Sequence, residues 1–217
     1  MKSLLRTAWH LLRPPVIQFS PPRTGSTLLW NALLLCLPTK KILKQHEISR
    51  FQKSRWNRSP IVCSVRNPLD SIASVIQAHG QTPSDEVIRE KTDIIAPAFR
   101  DVRDLLQQPR VKVLKYEDFA HDFPFLFREI EEFFGIAISE ETRQAVRDKC
   151  SLSSVKAKAE QLGDFDNYDE EDHIHGRHVS DYEGASGYYS EFFTAEQMEK
   201  MYAELGDIFD AFGYDAP

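Results

Sequence analysis

The segment from residue 16 to residue 35 constrains the fold of this chain more than any other part of the sequence. It reads VIQFSPPRTGSTLLWNALLL, in which a buried-strand pattern passes through a short turn into an apolar helix pattern. Consecutive backbone N–H groups at such a turn, together with the positive end of the helix dipole, form a binding site for anions. The segment therefore predicts an α/β fold that holds a phosphate-type ligand where the first helix begins.

The turn, residues 21–27, carries further groups that suit a phosphate. Gly25 lets the backbone approach a ligand closely, and Ser26 and Thr27 add hydroxyl groups. Arg23 adds a fixed positive charge. The ATPase P-loop is spelled G-x-x-x-x-G-K-[ST], and this turn lacks both its first glycine and its lysine. The turn thus predicts phosphate binding but speaks against an ordinary ATP- or GTP-hydrolysing enzyme.

The first half of the chain alternates strand and helix patterns, which indicates a mainly parallel sheet covered on both faces. Strands are predicted at residues 16–19, 41–44, 61–65 and 111–114. Helices are predicted at residues 26–37 and 70–79, and a third follows the cap at 82–85 to about residue 107, with a bend at Pro97.

The second half is predicted to be mainly helical. Helices are expected at residues 122–134, after Ser139, and from a capping box at 194–197 to about Gly213. Residues 164–189 show little periodicity and are interpreted as a long loop, a feature that is often functional in compact domains. Neither a repeat nor a linker interrupts residues 1–217, so a single domain is predicted.

Charge is distributed unevenly along a chain of ordinary globular composition, with 41% apolar and 28% charged residues. Residues 1–115 hold 19 Lys and Arg against 8 Asp and Glu, whereas residues 116–217 hold 8 against 25, which gives the net charge of −6. The basic half suits an anionic ligand, and the acidic half argues against a nucleic-acid-binding surface. We also consider the hypothesis that the acidic loop docks over a basic cleft.

The cysteines and the N-terminal segment indicate where in the cell the protein is expected. Cys36, Cys63 and Cys150 are far apart and odd in number, which favours buried free thiols and a cytoplasmic protein. Residues 1–14 contain apolar residues interrupted by Arg6 and lack a cleavage pattern. They are interpreted as an amphipathic extension rather than a signal peptide or an integral membrane segment, with weak peripheral membrane contact as the alternative.

Polar side chains follow the other three predicted strands. Lys44 and His46 are separated by one residue, so on a strand their side chains point to the same side. Arg66 ends the third strand, and Ser74 lies in the next helix, where a guanidinium and a hydroxyl can share one phosphate. Tyr116 follows the fourth strand. Because open α/β sheets bind ligands at the carboxyl ends of their strands, we expect these side chains to meet at one edge.

Taken together, these blocks resemble those of sulfotransferases that use 3′-phosphoadenosine 5′-phosphosulfate (PAPS). Pro-Arg-Thr-Gly-Ser-Thr at 22–27 resembles the family's 5′-phosphosulfate loop, and Lys-Gln-His at 44–46 resembles the Lys-Thr-His of its cytosolic branch. Arg66 and Ser74, eight residues apart, match the 3′-phosphate motif. The remaining matches are Tyr116 and Ser153-Ser154-Val155, which the family places near the adenine, and the run at 187–194.

The resemblance implies a three-layer α/β domain like that of P-loop NTPases, with a mainly parallel sheet of four to five strands. It implies in-line sulfuryl transfer from PAPS to a hydroxyl or amine of a small-molecule or carbohydrate acceptor, without a metal ion. The product would be 3′-phosphoadenosine 5′-phosphate (PAP). His46 would act as general base, and Lys44 and Arg23 would stabilise the transferred group. The implied donor-binding residues are Arg23, Thr24, Gly25, Ser26, Thr27, Arg66, Ser74, Tyr116, Ser153 and Gly184.

Two departures from the family pattern stand out. The family's Arg-Lys-Gly, which closes over the 3′-phosphate, is Tyr182-Glu183-Gly184 here. The cation is therefore missing or comes from elsewhere, and Arg177 or His178 are the candidates. The tryptophan that often follows the first loop is Leu28, with Trp30 two residues on. The chain is also short, so the loops over the acceptor are expected to be trimmed.

Other functions remain open at this point. A nucleotide kinase-like phosphoryl transferase is disfavoured by the missing P-loop lysine and by the lack of a magnesium-binding acid after an apolar strand. An inactive nucleotide-binding module is favoured by the change at 182–183 and opposed by the presence of Lys44 and His46. Glu117 and Asp118 are interpreted as structural, and the histidines among the acids of residues 169–178 as loop residues rather than metal ligands.

Overall fold

A computed structural model describes residues 14–46, 58–180 and 182–217. Within these ranges the central sheet has four strands, all parallel, in the order β2-β1-β3-β4. The strands are β1 (Val16–Phe19), β2 (Ile42–Gln45), β3 (Ile61–Val65) and β4 (Val111–Lys115). The predicted bounds of β1 and β3 are confirmed. Strand β2 begins and ends one residue later than predicted, and β4 ends one residue later. The predicted extension at 1–14 lies outside the described residues, except for residue 14.

Nine helices surround the sheet in the described ranges. They are α1 (Ser26–Cys36), α2 (Pro68–Ala78), α3 (Asp85–Leu105), α4 (Tyr116–Phe119), α5 (Phe123–Phe134), α6 (Glu140–Cys150), α7 (Leu152–Leu162), α8 (Tyr189–Phe192) and α9 (Ala195–Phe212). Most begin where the sequence predicts, because local caps define them: Ser84, Asp122, Ser139 and Thr194 each accept a hydrogen bond from a first-turn N–H. Pro97 lies inside the continuous helix α3.

Three of these helices were not predicted from the sequence: α4, α7 and the single turn of α8. Tyr116 was interpreted as the end of a strand, but β4 ends at Lys115 and Tyr116 begins the single turn of α4. This turn buries the Phe119 ring completely, a tertiary contact that a strand pattern does not reveal. Helix α7 has Ser151 as its cap and buries little apolar surface, so it lacks the periodicity by which amphipathic helices are found.

The sheet has an apolar layer on each face, as predicted. On one face Ile17, Phe19 and Cys63 pack with helices α2, α3 and α9. On the other face Val16 and Val62 pack with helices α1, α5 and α6. Helices α1 and α2 follow the neighbouring strands β1 and β3 but lie on opposite faces of the sheet. This is the topological switch point at which open α/β sheets leave a crevice for ligands.

The remaining sequence predictions concern cysteines and loops. All three cysteines are buried and unpaired, as predicted. The described part of the 164–189 loop contains an isolated bridge between Tyr168 and His175 and no helix or strand before Tyr189. Among the helices that the structure describes, none combines the length and apolar character needed to cross a bilayer.

Candidate active site

A cleft of about 780 Å³ opens at the carboxyl edge of the sheet and takes lining residues from the ends of all four strands. Its volume lies in the range of ligand pockets, which is roughly 300 to 1,000 Å³. The 164–189 loop and helices α2, α3 and α7 form the other walls. Ten of the predicted site residues line it: Arg23, Gly25, Ser26, Thr27, Lys44, His46, Arg66, Ser74, Tyr116 and Gly184.

The beginning of α1 presents backbone donors to the cleft. Gly25 precedes the helix with φ = +78°, and a Cβ atom there would lie 2.6 Å from Cδ2 of Tyr116. Only glycine fits, since both the backbone conformation and the space exclude a side chain. Because Gly25 has no side chain to cap the helix, the N–H groups of Ser26 and Thr27 stay available to an anion.

Lys44 connects the end of β2 to the first turn of α1. Its Nζ donates to Thr27 Oγ1 at 2.7 Å and lies 6.0 Å from the centre of the Trp30 ring. Burial lowers the pKa of Lys44 to about 8. A partly buried ammonium with one hydroxyl partner can stabilise negative charge on a group bound at the helix terminus.

His46 lies just beyond β2, with its tautomer set by the first loop. Its Nδ1 is 2.9 Å from the carbonyl oxygen of Ser20, and since a carbonyl only accepts, Nδ1 carries the proton. Burial lowers the pKa of His46, and the charge of Lys44 acts in the same direction. A neutral imidazole that is protonated at Nδ1 has Nε2 as its accepting nitrogen, which is the state that a general base requires.

Arg66 ends β3 and is 3% exposed. Its guanidinium donates to the carbonyl oxygens of Gly184 (3.2 Å) and Ala185 (2.8 Å) and stacks 4.5 Å from the Tyr116 ring centre. Its Nε has no hydrogen-bond partner among residues 14–46, 58–180 and 182–217. Gly184 is required at its position, because a Cβ would lie 2.4 Å from the Tyr116 hydroxyl and φ is +74°.

Arg23 points across the cleft rather than along the first loop. Its Nε donates to Ser74 Oγ at 2.9 Å, and its terminal nitrogens donate to the His178 carbonyl (3.0 Å) and His175 Nε2 (3.4 Å). Burial lowers the pKa of Arg23 to about 10, so it remains cationic at neutral pH. From the sequence, Arg23 was predicted to stabilise the transferred group. In the structure its side chain contacts Ser74 instead.

The 164–189 loop covers one side of the cleft. Asp172 is buried and pairs with Lys149 (2.5 Å) and with Lys158. Both lysines belong to residues 116–217, so this acid pairs within the acidic half of the chain, and docking of the acidic loop over the basic cleft stays a hypothesis. The loop meets α1 through its backbone instead, since Asn31 Nδ2 donates to the Asp172 carbonyl at 2.8 Å.

The loop histidines are neutral and face the cleft. Burial lowers the pKa of His175 to about 4 and that of His178 well below the ordinary imidazole value. The His173 ring packs edge-on against Trp30, with centroids 4.2 Å apart. In the ranges 14–46, 58–180 and 182–217, no group of three or more His, Cys, Asp or Glu residues is arranged to hold a metal ion.

Two predicted donor-binding residues do not line the cleft. Thr24 is fully buried, and its hydroxyl donates to the Pro21 carbonyl at 2.8 Å, so it stabilises the turn itself. Ser153 is exposed on α7, and its neighbours Leu152 and Val155 form the wall instead. The Ser151 cap could have located α7 in the sequence, and with it which residues face the cleft.

Arg177 and His178 were the candidates for the cation that closes over the 3′-phosphate, and their positions in the structure can be compared. Arg177 is exposed and approaches Asp164 at 4.0 Å; it lines a separate, smaller depression and not the cleft. His178 lines the cleft, but burial keeps it uncharged. Neither supplies a positive charge there.

A family model described as "Sulfotransferase domain" matches residues 32–206. The chain belongs to the sulfotransferase family. The match begins after the first loop, so residues 22–27 are supported as part of the site by their geometry alone. No curated protein sequence matches this sulfotransferase.

Solved structures share the fold of this sulfotransferase at low sequence identity. A mouse sulfotransferase complexed with PAP is 17% identical, with a TM-score of 0.67 over 90% of this chain and 83% of that chain. Retinol dehydratase in complex with androsterone and the inactive cofactor PAP is 17% identical, with a TM-score of 0.66 over 91% and 81%. Retinol dehydratase with retinol and PAP is 16% identical, with a TM-score of 0.65 over 91% and 82%.

Proposed function

We propose that this sulfotransferase moves the sulfuryl group of PAPS to a hydroxyl group of a small, largely apolar acceptor. The observation that carries the proposal is the arrangement of His46, Lys44 and the beginning of α1 around one end of the cleft. A neutral imidazole, a cation and uncapped helix N–H groups face the same space. Sulfuryl transfer needs these three elements: a base, a charge for the leaving phosphate, and an anion cradle.

The cleft also fits a donor with two phosphate-type groups. The beginning of α1 with Lys44 forms one anion-binding position, and Arg66 with Ser74 forms the other. No described carboxylate lies within ion-pair distance of Arg66, and its Nε has no partner. The two carbonyl oxygens and the Tyr116 ring that contact Arg66 carry no net charge, so an anionic ligand at this position would neutralise the guanidinium. Solved neighbours bind PAP, which carries phosphates at both ends of its ribose.

In the proposed reaction each of these residues has a separate role. Nε2 of His46 takes the proton of the acceptor hydroxyl while its oxygen forms a bond to sulfur. The bond between sulfur and the bridging oxygen of the 5′-phosphate breaks, and PAP leaves. Lys44 and the N–H groups of Ser26 and Thr27 stabilise the charge that develops on that phosphate. Tyr116 lies over Gly25, where it forms part of the wall beside the nucleoside.

The wall of the cleft includes apolar side chains that could contact an acceptor. Ile95 and Ile174 are buried in its wall, and Phe165 lines the same region. Ile94 is 58% exposed and Tyr168 is 47% exposed, and both lie at the cleft. Large apolar side chains that remain exposed beside a cavity favour an apolar ligand. We therefore expect an alcohol or phenol with an apolar body rather than a sugar.

Calorimetry tests the donor. Wild type should bind PAP more tightly than ATP or AMP, and Arg66→Ala should weaken PAP binding by at least about tenfold, because charge-assisted hydrogen bonds to a phosphate are lost. Arg128→Ala, an exposed arginine on α5, is the matched control. Binding of ATP as tight as that of PAP would favour a kinase-like phosphoryl transferase instead.

Turnover tests the role of His46. With labelled PAPS and a panel of apolar alcohols, phenols and monosaccharides, His46→Ala should lower kcat roughly 10²- to 10⁴-fold while PAP affinity stays the same. Tight PAP binding without turnover of any acceptor by wild type would indicate an inactive nucleotide-binding module. Preferred turnover of monosaccharides would contradict the apolar acceptor.

A further inference from the structure

Two arginines from different strand ends meet at Ser74. Arg23, which has φ = +63°, donates through Nε to Ser74 Oγ at 2.9 Å. Arg66 approaches from β3 and is held by the carbonyl oxygens of residues 184 and 185. Both side chains and Ser74 line the cleft. The Arg23 side chain thus reaches from the first loop to helix α2.

In the part of the chain that the structure describes, the positive charge of this pair has no acidic partner. In the described ranges neither Arg23 nor Arg66 lies within 4.0 Å of a carboxylate oxygen. Asp70, the buried acid on the same helix as Ser74, accepts instead from the N–H groups of Gly187 (2.7 Å) and Tyr189 (3.0 Å). Two like charges removed from water repel each other unless an anion lies between them, and a phosphate dianion matches two guanidinium groups.

A hydroxyl group lies at the same place. Tyr182 stacks on Tyr188 with ring centroids 3.7 Å apart, and its buried hydroxyl has no hydrogen-bond partner of normal geometry among the described residues. The hydroxyl lies beside those of Ser74 and Ser180, and both of these groups act on its pKa. Burial raises the pKa of Tyr182, so the phenol stays protonated and can donate. An unpaired buried donor costs free energy that a ligand oxygen would recover.

We propose that Arg23 and the Tyr182 hydroxyl complete the binding site for the 3′-phosphate of the donor, together with Arg66 and Ser74. This inference rests on the proposed function. In this arrangement Arg23 of the first loop supplies the positive charge that residues 182–184 lack. The Tyr182 hydroxyl supplies a hydrogen bond to the 3′-phosphate. Arg23 then recognises the nucleotide and does not contact the transferred sulfuryl group.

The test compares PAP with AMP, which lacks only the 3′-phosphate. The measured quantity is the ratio of the two dissociation constants by calorimetry. Arg23→Gln should lower the preference for PAP by at least about tenfold while AMP binding changes less than about twofold, since a charge-assisted contact to the 3′-phosphate is lost. Tyr182→Phe should lower it by about three- to tenfold. Arg177→Gln and Tyr188→Phe are matched controls that should leave the ratio unchanged.

The outcomes separate the inference from the proposed function. If Arg23→Gln weakens PAP and AMP equally, Arg23 acts at the 5′ end and the inference is wrong. If wild type does not distinguish PAP from AMP, the proposed donor itself is wrong. If Arg23→Gln has a melting temperature too low for calorimetry, Tyr182→Phe decides, because an unchanged ratio in that variant overturns the inference.

Discussion

Burial of Lys44 and His46 determines how the cleft responds to pH. Lys44 lies in β2 and His46 directly follows it. The two side chains have opposite requirements, since Lys44 must be charged and His46 must be neutral. Burial lowers the pKa of each group. The lowered pKa of His46 keeps the imidazole neutral, and therefore active, to lower pH. The lowered pKa of Lys44 means that the ammonium loses its charge at a pH of about 8. Both states therefore coexist around neutral pH.

The fall in activity at alkaline pH should be caused by deprotonation of Lys44. We expect kcat/KM for PAPS to fall as pH rises above about 8, because free enzyme loses the Lys44 charge there. On the acid side, activity should fall only below the ordinary imidazole range, where His46 becomes protonated. Lys44→Arg should keep its charge and move the alkaline limb to higher pH, even if its overall rate is lower. The same limb in both enzymes would contradict the assignment.

At the scale of the elements, a carboxylate on the short helix α4 binds two other parts of the molecule. Glu117 accepts from the backbone N–H of Asn67, at the beginning of α2, at 2.8 Å. It also accepts from the hydroxyl of Tyr214, beyond α9, at 3.0 Å. The sequence interpretation of Glu117 as structural agrees with these contacts, although the residue lies on a helical turn and not on a strand.

Removing this carboxylate should lower stability. Glu117→Ala leaves a backbone N–H and a buried phenol without their acceptor, so the free energy of unfolding should fall by about 1–3 kcal/mol in urea denaturation. Asp118→Ala is the matched control, because Asp118 is the exposed neighbour on the same turn and should change stability by less than about 0.5 kcal/mol. Equal effects of the two substitutions would show that Glu117 does not connect these elements.

At the scale of the whole molecule, the 164–189 loop joins the two halves of the chain across the cleft. Its anchor is Asp172, whose side chain pairs with Lys149 of α6 and Lys158 of α7 and whose carbonyl accepts from Asn31 of α1. Burial alone would raise the pKa of Asp172, but the hydrogen bonds and charges of Lys149 and Lys158 lower it. The stabilisation by this carboxylate is present above the ordinary Asp pKa and is lost as pH falls through the lowered value.

Loss of the anchor should free the loop without unfolding the sheet. In Asp172→Ala, amide hydrogen exchange should become faster across residues 164–180 and stay the same in β1 and β3, because two lysines lose their buried partner. Glu171→Ala removes the exposed neighbouring acid and is the control. Faster exchange throughout the sheet, or none in the loop, would contradict a local anchor.

The sequence alone determined the elements whose signals are local. Strands β1 and β3 were predicted with their bounds, because buried parallel strands are short apolar runs between turn residues. Gly25 and Gly184 were identified as site residues, and both have a backbone conformation and a close neighbour that only glycine tolerates. The order of motifs also predicted the family, whose model matches residues 32–206.

The tertiary structure decided where the side chains at the strand ends point. Arg23 reaches Ser74, 51 residues on, and the carbonyl of His178, 155 residues on. Thr24 turns into the protein and Ser153 turns to solvent, although both were predicted to bind the donor. Motif spacing determines which loop a residue belongs to, but its side chain settles according to φ and the partners that distant segments bring. These long-range contacts form only when the sheet and its covering loop are assembled.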